Sequence, residues 1–187
     1  NLEYLSPKLY VIMKNITEYT NECCFIYSLF IKGSLGINFL THIFFFFGWK
    51  ELKTNLIQKG KYFISSNDNP IFASQLEQFN SKENKYGEYC RIIIGSKKIS
   101  EGLTIKNIRQ YYCLVAQWNM SGIKQSEGRI IRKNTHVNFS FSEKYVRVYN
   151  LATIFHDNVS LDMFVYNILK KKFQKCKILV DLLKSNS

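Results

Sequence analysis

The feature that most constrains the fold is a regular alternation of short apolar segments and amphipathic segments along the first 151 residues. The apolar segments are rich in β-branched and aromatic residues, and residues 23–30 are apolar almost throughout. A run of this length and composition is typical of a strand that is buried on both faces of a parallel sheet. The stretches between these runs carry apolar residues at helical spacing. The sequence therefore predicts an α/β fold, with a parallel sheet and helices on both of its faces.

The predicted elements fall into one domain and a tail. Helices are predicted at 6–20, 35–47, 69–79 and 121–132, and strands at 23–30, 62–65, 89–94, 111–116 and 145–151. Residues 1–151 form the predicted domain. Residues 152–187 form a tail with an amphipathic helix at 160–184, which we expect to dock on the domain or on a neighbouring one.

The charge of the chain indicates a polyanionic partner. Lys and Arg number 26 against 14 Asp and Glu, a formal charge of +12, which favours nucleic acid. AT-rich coding sequences also encode more lysine whatever the function of the protein, so codon bias can explain part of this positive charge. The five cysteines lack metal-ligand spacing, so they indicate buried, reduced thiols in an intracellular protein and no metal site. There is no signal peptide, no membrane-length apolar run and no initiating Met, which predicts a soluble segment of a longer chain.

The first candidate site is the loop that follows the predicted strand 89–94. Gly95, Ser96 and Lys97 come directly after the strand, and Gly102 follows about a turn later. Backbone amides, a hydroxyl and a basic side chain in such a loop can hold a phosphate. Gly-Ser-Lys-Lys is also a common solvated turn, so the pattern alone leaves both interpretations open.

The second candidate site is the predicted helix 121–132. Gln125, Arg129 and Arg132 are spaced i, i+4 and i+7, so they share one face, while Ile131 turns toward the core. Paired arginines can neutralise the charge that develops during phosphoryl transfer. Gly128 predicts a close approach between this helix and a neighbour. A basic, solvated helix face is the alternative interpretation. Because ligands of parallel α/β sheets bind beyond the carboxyl ends of the strands, we expect the arginines and Gly102 to line that edge.

The order of these motifs resembles motifs V and VI of superfamily 2 helicases. The residues that carry the resemblance are Gly95-Ser96, Ser100-Glu101-Gly102-Leu103, Asn107-Ile108-Arg109-Gln110, Trp118-Asn119-Met120-Ser121 and Gln125-x-x-Gly128-Arg129-x-x-Arg132. A strand containing Ser28, followed by Gly33 and Gly36, is similar to motif IV. More narrowly, the chain resembles the group that includes the poxvirus early transcription factor small subunit, nucleoside triphosphatase I and relatives in other cytoplasmic DNA viruses and linear yeast plasmids. The resemblance covers roughly residues 6–151.

The resemblance implies the C-terminal RecA-like lobe of a helicase. It assigns Arg129 and Arg132 as arginine fingers that reach ATP on the other lobe, with Gln125 contacting phosphate or coupling the nucleotide state to closure. Gly102, Thr104 and Gly128 would lie near the nucleotide, although relatives usually carry an acidic residue where this chain has Thr104. Contacts with the nucleic-acid backbone are assigned to Ser28, Gly95, Ser96 and Lys97.

The chain contains no Gly-x-x-x-x-Gly-Lys-Ser/Thr loop and no strand that ends in Asp-Glu. ATP and Mg²⁺ would therefore be held mainly by an N-terminal lobe, and the segment alone is predicted to be inactive. We expect this chain to be half of an ATP-dependent helicase or translocase that nucleic acid stimulates, with DNA favoured over RNA. We expect it to act in viral-type early transcription. Its expected location is the cytoplasm, in a virus factory or a virion.

One alternative is a transcription-factor module that binds promoter DNA, RNA polymerase or a second subunit, with slow ATPase activity. A small basic domain unrelated to ATPases is the other alternative, if motifs V and VI fail to line one cleft.

Overall fold

The computed structural model describes residues 2–53, 59–66, 69–97, 99, 103–155 and 159–185. Its centre is a six-stranded sheet in which every neighbouring pair of strands is parallel. The strands are β1 Cys23–Tyr27, β2 Lys50–Glu51, β3 Tyr62–Ser65, β4 Ile92–Gly95, β5 Ile108–Cys113 and β6 Arg147–Asn150. Their order across the sheet is β2-β3-β4-β1-β5-β6. The predicted α/β fold with a parallel sheet is confirmed.

Helices cover both faces of the sheet. They are α1 Leu2–Leu5, α2 Pro7–Glu18, α3 Ile37–Phe46, α4 Phe72–Phe79, α5 Met120–Ile130 and α6 Leu161–Ser185, with a 3-10 turn at Phe141–Glu143. Alternate residues of β1 point to opposite faces, as the pleat of a strand requires. Phe25 packs in the cluster that α4 covers, whereas Ile26 packs in the cluster that α2 and α3 cover. The sheet is thus the middle of three layers.

The strand β5 begins three residues before its predicted start, because its polar residues are buried. Arg109 and Gln110 follow Ile108, the first residue of the strand, and both are buried within the sheet. The carboxylate of Glu22 accepts a hydrogen bond from Gln110 Nε2 at 2.9 Å and lies 3.3 Å from Arg109 Nη2. A buried partner from another part of the chain therefore compensates for the burial of these polar groups.

The C-terminal helix α6, predicted from sequence, is present and packs on the lobe only along its first half. Lys8 Nζ on α2 lies 2.6 Å from the Asp162 carboxylate, and Val165 and Leu169 are buried. From Lys170 to Ser185 every side chain of the helix is exposed. In the parts of the chain that the structure covers, no helix has the length and apolar character needed to cross a bilayer.

The expectation of buried thiols is correct for four of the five cysteines. Cys23, Cys24, Cys90 and Cys113 are buried, and burial raises the pKa of each of these thiols. The prediction is wrong for Cys176, which is exposed on α6. Its position in a helix that leaves the lobe explains the difference.

Candidate nucleotide and nucleic-acid sites

The helix α5 is capped at its first turn and fixed to the core through its middle and its last residue. Asn119 caps its first turn, with the side-chain oxygen accepting from Gly122 N at 3.1 Å. The Tyr111 hydroxyl of β5 lies 2.6 Å from the Ser126 hydroxyl, and burial raises the pKa of Tyr111, so this phenol stays neutral. Ile130 at the other end is fully buried. The residues near the end of α5 are therefore held in a defined place relative to β5.

Arg132 lies beyond the end of α5, not on it. The helix ends at Ile130, so the prediction that Arg132 continues the helical face of Arg129 is wrong. Ile131 is 52 % exposed and does not turn toward the core. The side chain of Thr135 closes the turn that follows, donating to the Arg132 carbonyl oxygen at 2.8 Å. This hydrogen bond gives the backbone a local alternative to another helical turn.

The two candidate motifs meet. Ile105 N donates to the Arg129 carbonyl oxygen at 3.1 Å, and Arg132 Nη1 donates to the Thr104 hydroxyl at 3.2 Å. The guanidinium of Arg132 is exposed beside this contact. A basic domain unrelated to ATPases was expected only if motifs V and VI were apart, and these contacts contradict that alternative.

The prediction that the arginines line the carboxyl edge of the sheet is wrong. α5 follows β5 and runs back along it, so its last turn lies near the amino end of β5. Thr104, which contacts Arg132, is four residues before the first residue of β5. The rule about carboxyl ends applies to loops that directly follow strands, whereas Arg129 and Arg132 come a whole helix later. Gly102 lies outside the described residues, and its place near a nucleotide stays a prediction.

Gly128 borders open space. A Cβ atom added to Gly128 would have no described atom within 4 Å, so the predicted close packing against a neighbouring element is wrong. Gln125 is exposed one turn earlier on α5, and Arg129 is partly buried. This side of the helix therefore leaves room for a group that the chain itself does not supply.

The four candidate nucleic-acid residues gather at the carboxyl ends of β1 and β4. Ser28 N donates to the Gly95 carbonyl oxygen at 2.9 Å. The Ser28 side chain is fully buried, and its hydroxyl donates to the Leu35 carbonyl oxygen at 2.5 Å, so it shapes the turn after β1 and does not face solvent. Ser96 is also buried, whereas Lys97 is exposed. In this arrangement the Ser28 hydroxyl bonds to the chain itself, and its contact with a phosphate stays a prediction.

Asn80, which directly follows α4, holds the end of motif V in place. Its side chain donates to the Thr104 carbonyl oxygen at 2.9 Å and accepts from Lys106 N at 2.7 Å. An asparagine side chain can replace a backbone pairing partner in this way. An asparagine just after a helix is a weak signal, and sequence reasoning could not have paired it with a segment more than twenty residues away.

His136 holds the segment after Arg132 to β5. Its Nε2 lies 2.6 Å from the Ile108 carbonyl oxygen, which can only accept, so Nε2 carries a proton. Its Nδ1 lies 2.9 Å from the Thr135 hydroxyl. Arg132, Lys133, His136 and Lys144 line a cavity of about 450 Å³. Two lysines, Lys133 and Lys144, therefore line the same cavity as the Arg132 guanidinium.

Sequence comparisons identify relatives of this chain among viral and plasmid proteins. Nucleoside triphosphatase I of Heliothis armigera entomopoxvirus is 33 % identical over 113 residues, which is 60 % of this chain and 18 % of that protein. The killer plasmid pGKL-2 helicase of Kluyveromyces lactis is 29 % identical over 173 residues, which is 91 % of this chain and 28 % of that protein. The homologues of this chain are viral and plasmid helicases and nucleoside triphosphatases I. No protein-family model matches the chain.

A solved structure identifies the fold of the lobe. The C-terminal part of the Fun30 ATPase domain superposes with a TM-score of 0.59 at 17 % identity, over 86 % of this chain and 43 % of that one. The six parallel strands and their helices are those of a RecA-like helicase C-terminal lobe. The chain spans only 18–28 % of the two relatives named above.

Proposed function

We propose that this helicase lobe is the C-terminal half of an ATP-dependent, nucleic-acid-stimulated motor. Its part in the reaction is to present Arg129 and Arg132 to ATP that an N-terminal lobe holds. The observation that carries this proposal is the hydrogen bond from Arg132 Nη1 to Thr104 Oγ1, because it brings motif VI onto motif V. We also propose that this motor acts on DNA in viral-type early transcription.

The residues present fit a nucleotide that approaches from outside the lobe. Arg132 offers an exposed guanidinium, and the space beside Gly128 is open. A guanidinium presents N–H groups in a planar fork that matches phosphate oxygens. Gln125 is exposed on the same helix and supplies a further donor. The lobe contributes charge neutralisation and positioning, while Mg²⁺ and most phosphate contacts belong to the other lobe.

The carboxyl edge of β1 and β4 is the proposed track for nucleic acid. Lys97 supplies a positive charge there, and the backbone of Gly95 and Ser96 forms the floor of the same edge. Contacts of this kind bind phosphates without reading bases. Because Ser28 is buried, we assign it to shaping this edge and not to direct contact.

The test is the Arg132→Ala variant of the full-length protein. We expect ATP turnover in the presence of DNA to fall on the order of 10³-fold, the scale found for a missing arginine finger. Nucleic-acid binding should change little, because Arg132 lies near the amino end of β5, far from the proposed track. Lys14→Ala is the matched control, since it removes an exposed cation from α2 on the opposite face of the sheet.

Turnover of Arg132→Ala within a few-fold of the unaltered protein would remove the arginine-finger assignment. Slow turnover that DNA does not stimulate would instead favour the transcription-factor module over a motor.

A further inference from the structure

The second half of α6 continues the apolar stripe that docks the first half. Residues Leu169, Phe173, Cys176, Val180 and Leu183 follow each other at spacings of four, three, four and three. Such spacing puts all of them on one line along a helix, the a and d positions of a heptad pattern. We call this line the seam. Leu169 is 6 % exposed against the lobe, whereas Leu183 at the other end is 72 % exposed.

The seam is flanked by lysines at heptad spacing. Lys170, Lys177 and Lys184 are seven residues apart and occupy the e position beside the seam, and Lys172 occupies a g position. In coiled coils the e and g residues meet charges of the partner helix and determine which helix can pair. The seam therefore selects a partner whose flanking residues are acidic.

A second copy of this chain does not satisfy that requirement. In a parallel pair, Lys172 of one copy faces Lys177 of the other, and in an antiparallel pair the e-position lysines face each other. Like charges that face each other across a helix pair are unfavourable. The flanking charges thus oppose self-association and favour a helix with acidic flanking residues.

The seam leaves the lobe away from the candidate nucleotide site. Lys172 Nζ donates to the Trp118 carbonyl oxygen at 3.4 Å, and Phe173 lies under Lys124 at the first turns of α5. Arg132 lies beyond the other end of α5. A helix bound along the seam therefore does not need the space into which the arginine points.

We propose that the seam binds an acidic amphipathic helix of a separate protein. The exposed part of the seam is long enough for about two heptads, so the contact is a short helix pair supported by the lobe. This inference goes beyond the ATPase and does not depend on it.

The experiment uses two synthetic peptides of three heptads, each with leucine at a and d. One carries glutamate at e and g, and the other carries lysine at the same positions. Binding of each labelled peptide to the protein is measured by fluorescence anisotropy at low and high salt. We expect the glutamate peptide to bind, the lysine peptide not to bind, and salt to weaken the binding, because exposed charges are screened.

Charge reversal provides the decisive pair of variants. Lys170→Glu with Lys177→Glu should weaken binding of the glutamate peptide about tenfold and allow the lysine peptide to bind, since exposed ion pairs become like-charge pairs. Lys171→Glu with Lys175→Glu changes the charge equally at outward f and c positions and should leave both results unchanged. All four lysines are exposed, so folding is unaffected, which circular dichroism checks.

Cys176 supplies a second readout, because it lies in the seam and the other four cysteines are buried. Its reaction with a maleimide should slow when the glutamate peptide is bound, and an unchanged rate would contradict the proposed contact. If both charge-reversal pairs weakened binding of the glutamate peptide equally, the proposal would be overturned. The lysines would then form a surface that binds polyanions without specificity. Release of the peptide by phosphatidylserine vesicles, but not by neutral vesicles, would assign the seam to lipid. A stable dimer through α6 in sedimentation would assign it to a second copy.

Discussion

Glu22→Gln tests whether one buried carboxylate holds the amino end of the sheet together. Glu22 directly precedes β1, and its side chain is 8 % exposed. It accepts hydrogen bonds from Gln110 at 2.9 Å, Tyr145 at 2.9 Å and Arg147 at 2.5 Å. Arg109, whose side chain is 9 % exposed, lies 3.3 Å away. The glutamine keeps the shape of the side chain but removes its charge.

The expected loss follows from the groups left without a partner. Removing one member of a buried ion pair costs about 3–5 kcal/mol, because the other charge stays buried. Glu22 and Arg109 also line a cavity of about 430 Å³ that is open to water, which favours the lower end of this range. We therefore expect a loss of about 3 kcal/mol and a melting temperature lower by roughly 6–12 °C for a lobe of this size.

The effect should depend on pH in one direction. Burial raises the pKa of Glu22, but hydrogen bonds from Arg147, Gln110 and Tyr145 outweigh it and leave the pKa below the ordinary value of 4.5. A depressed pKa means that the stabilisation is complete above the unfolded-state pKa and is lost as the pH falls through the folded-state pKa. The difference between Glu22→Gln and the unaltered protein should therefore shrink below the ordinary glutamate range.

The assay is urea unfolding, followed by circular dichroism at neutral pH and at several acidic values. Glu77→Gln on the exposed side of α4 is the control and should lie close to the unaltered protein at each pH. If Glu22→Gln lowered the free energy of unfolding by less than about 1 kcal/mol at neutral pH, Glu22 would not hold this end of the sheet together. Surface substitutions alone change that free energy by about half as much.

Two further predictions concern the candidate sites. Thr104→Val removes the hydroxyl that Arg132 contacts at 3.2 Å, so ATP turnover of the full-length protein should fall about fivefold, whereas Thr104→Ser should restore it. Equal turnover of the valine and serine variants would contradict a positioning role for the hydroxyl. Gly95→Ala would bring a Cβ to 2.1 Å from Ile99 Cδ1, so it should destabilise the lobe by about 1–2 kcal/mol in urea unfolding. Gly128 lies on a helix beside open space, so Gly128→Ala should instead stabilise the lobe by roughly 0.5–1 kcal/mol. A Gly95→Ala variant that is more stable than Gly128→Ala would contradict both predictions.

Sequence pattern predicted the elements whose burial follows from their own residues. Strand β3 and helix α6 were located to within a residue at each end, because an apolar run or a helical stripe defines each of them. Strand β5 was misplaced because Arg109 and Gln110 interrupt its apolar pattern, and their partner Glu22 is more than eighty residues away. Long-range compensation of this kind leaves no local pattern.

The geometry of the candidate site differs from the sequence prediction. The spacing of Arg129 and Arg132 indicated a shared helical face, yet Arg132 lies past the end of the helix, in a turn that Thr135 closes. Where a helix ends depends on hydrogen bonds that compete with one more turn, and several residues can supply them. The meeting of motifs V and VI came from the family resemblance and not from periodicity.

Lys8 joins three parts of the lobe. Its Nζ lies 2.6 Å from the Asp162 carboxylate at the start of α6 and donates to the Leu114 carbonyl oxygen at 2.8 Å, just past the carboxyl end of β5. We call these two contacts of Lys8 the anchor. A bound partner that pulls on α6 would therefore transmit force through the anchor to the central sheet. The anchor lies at the edge of the sheet that carries Lys97, so the force from a tethered partner would enter the lobe beside the proposed nucleic-acid track and not beside Arg129 and Arg132.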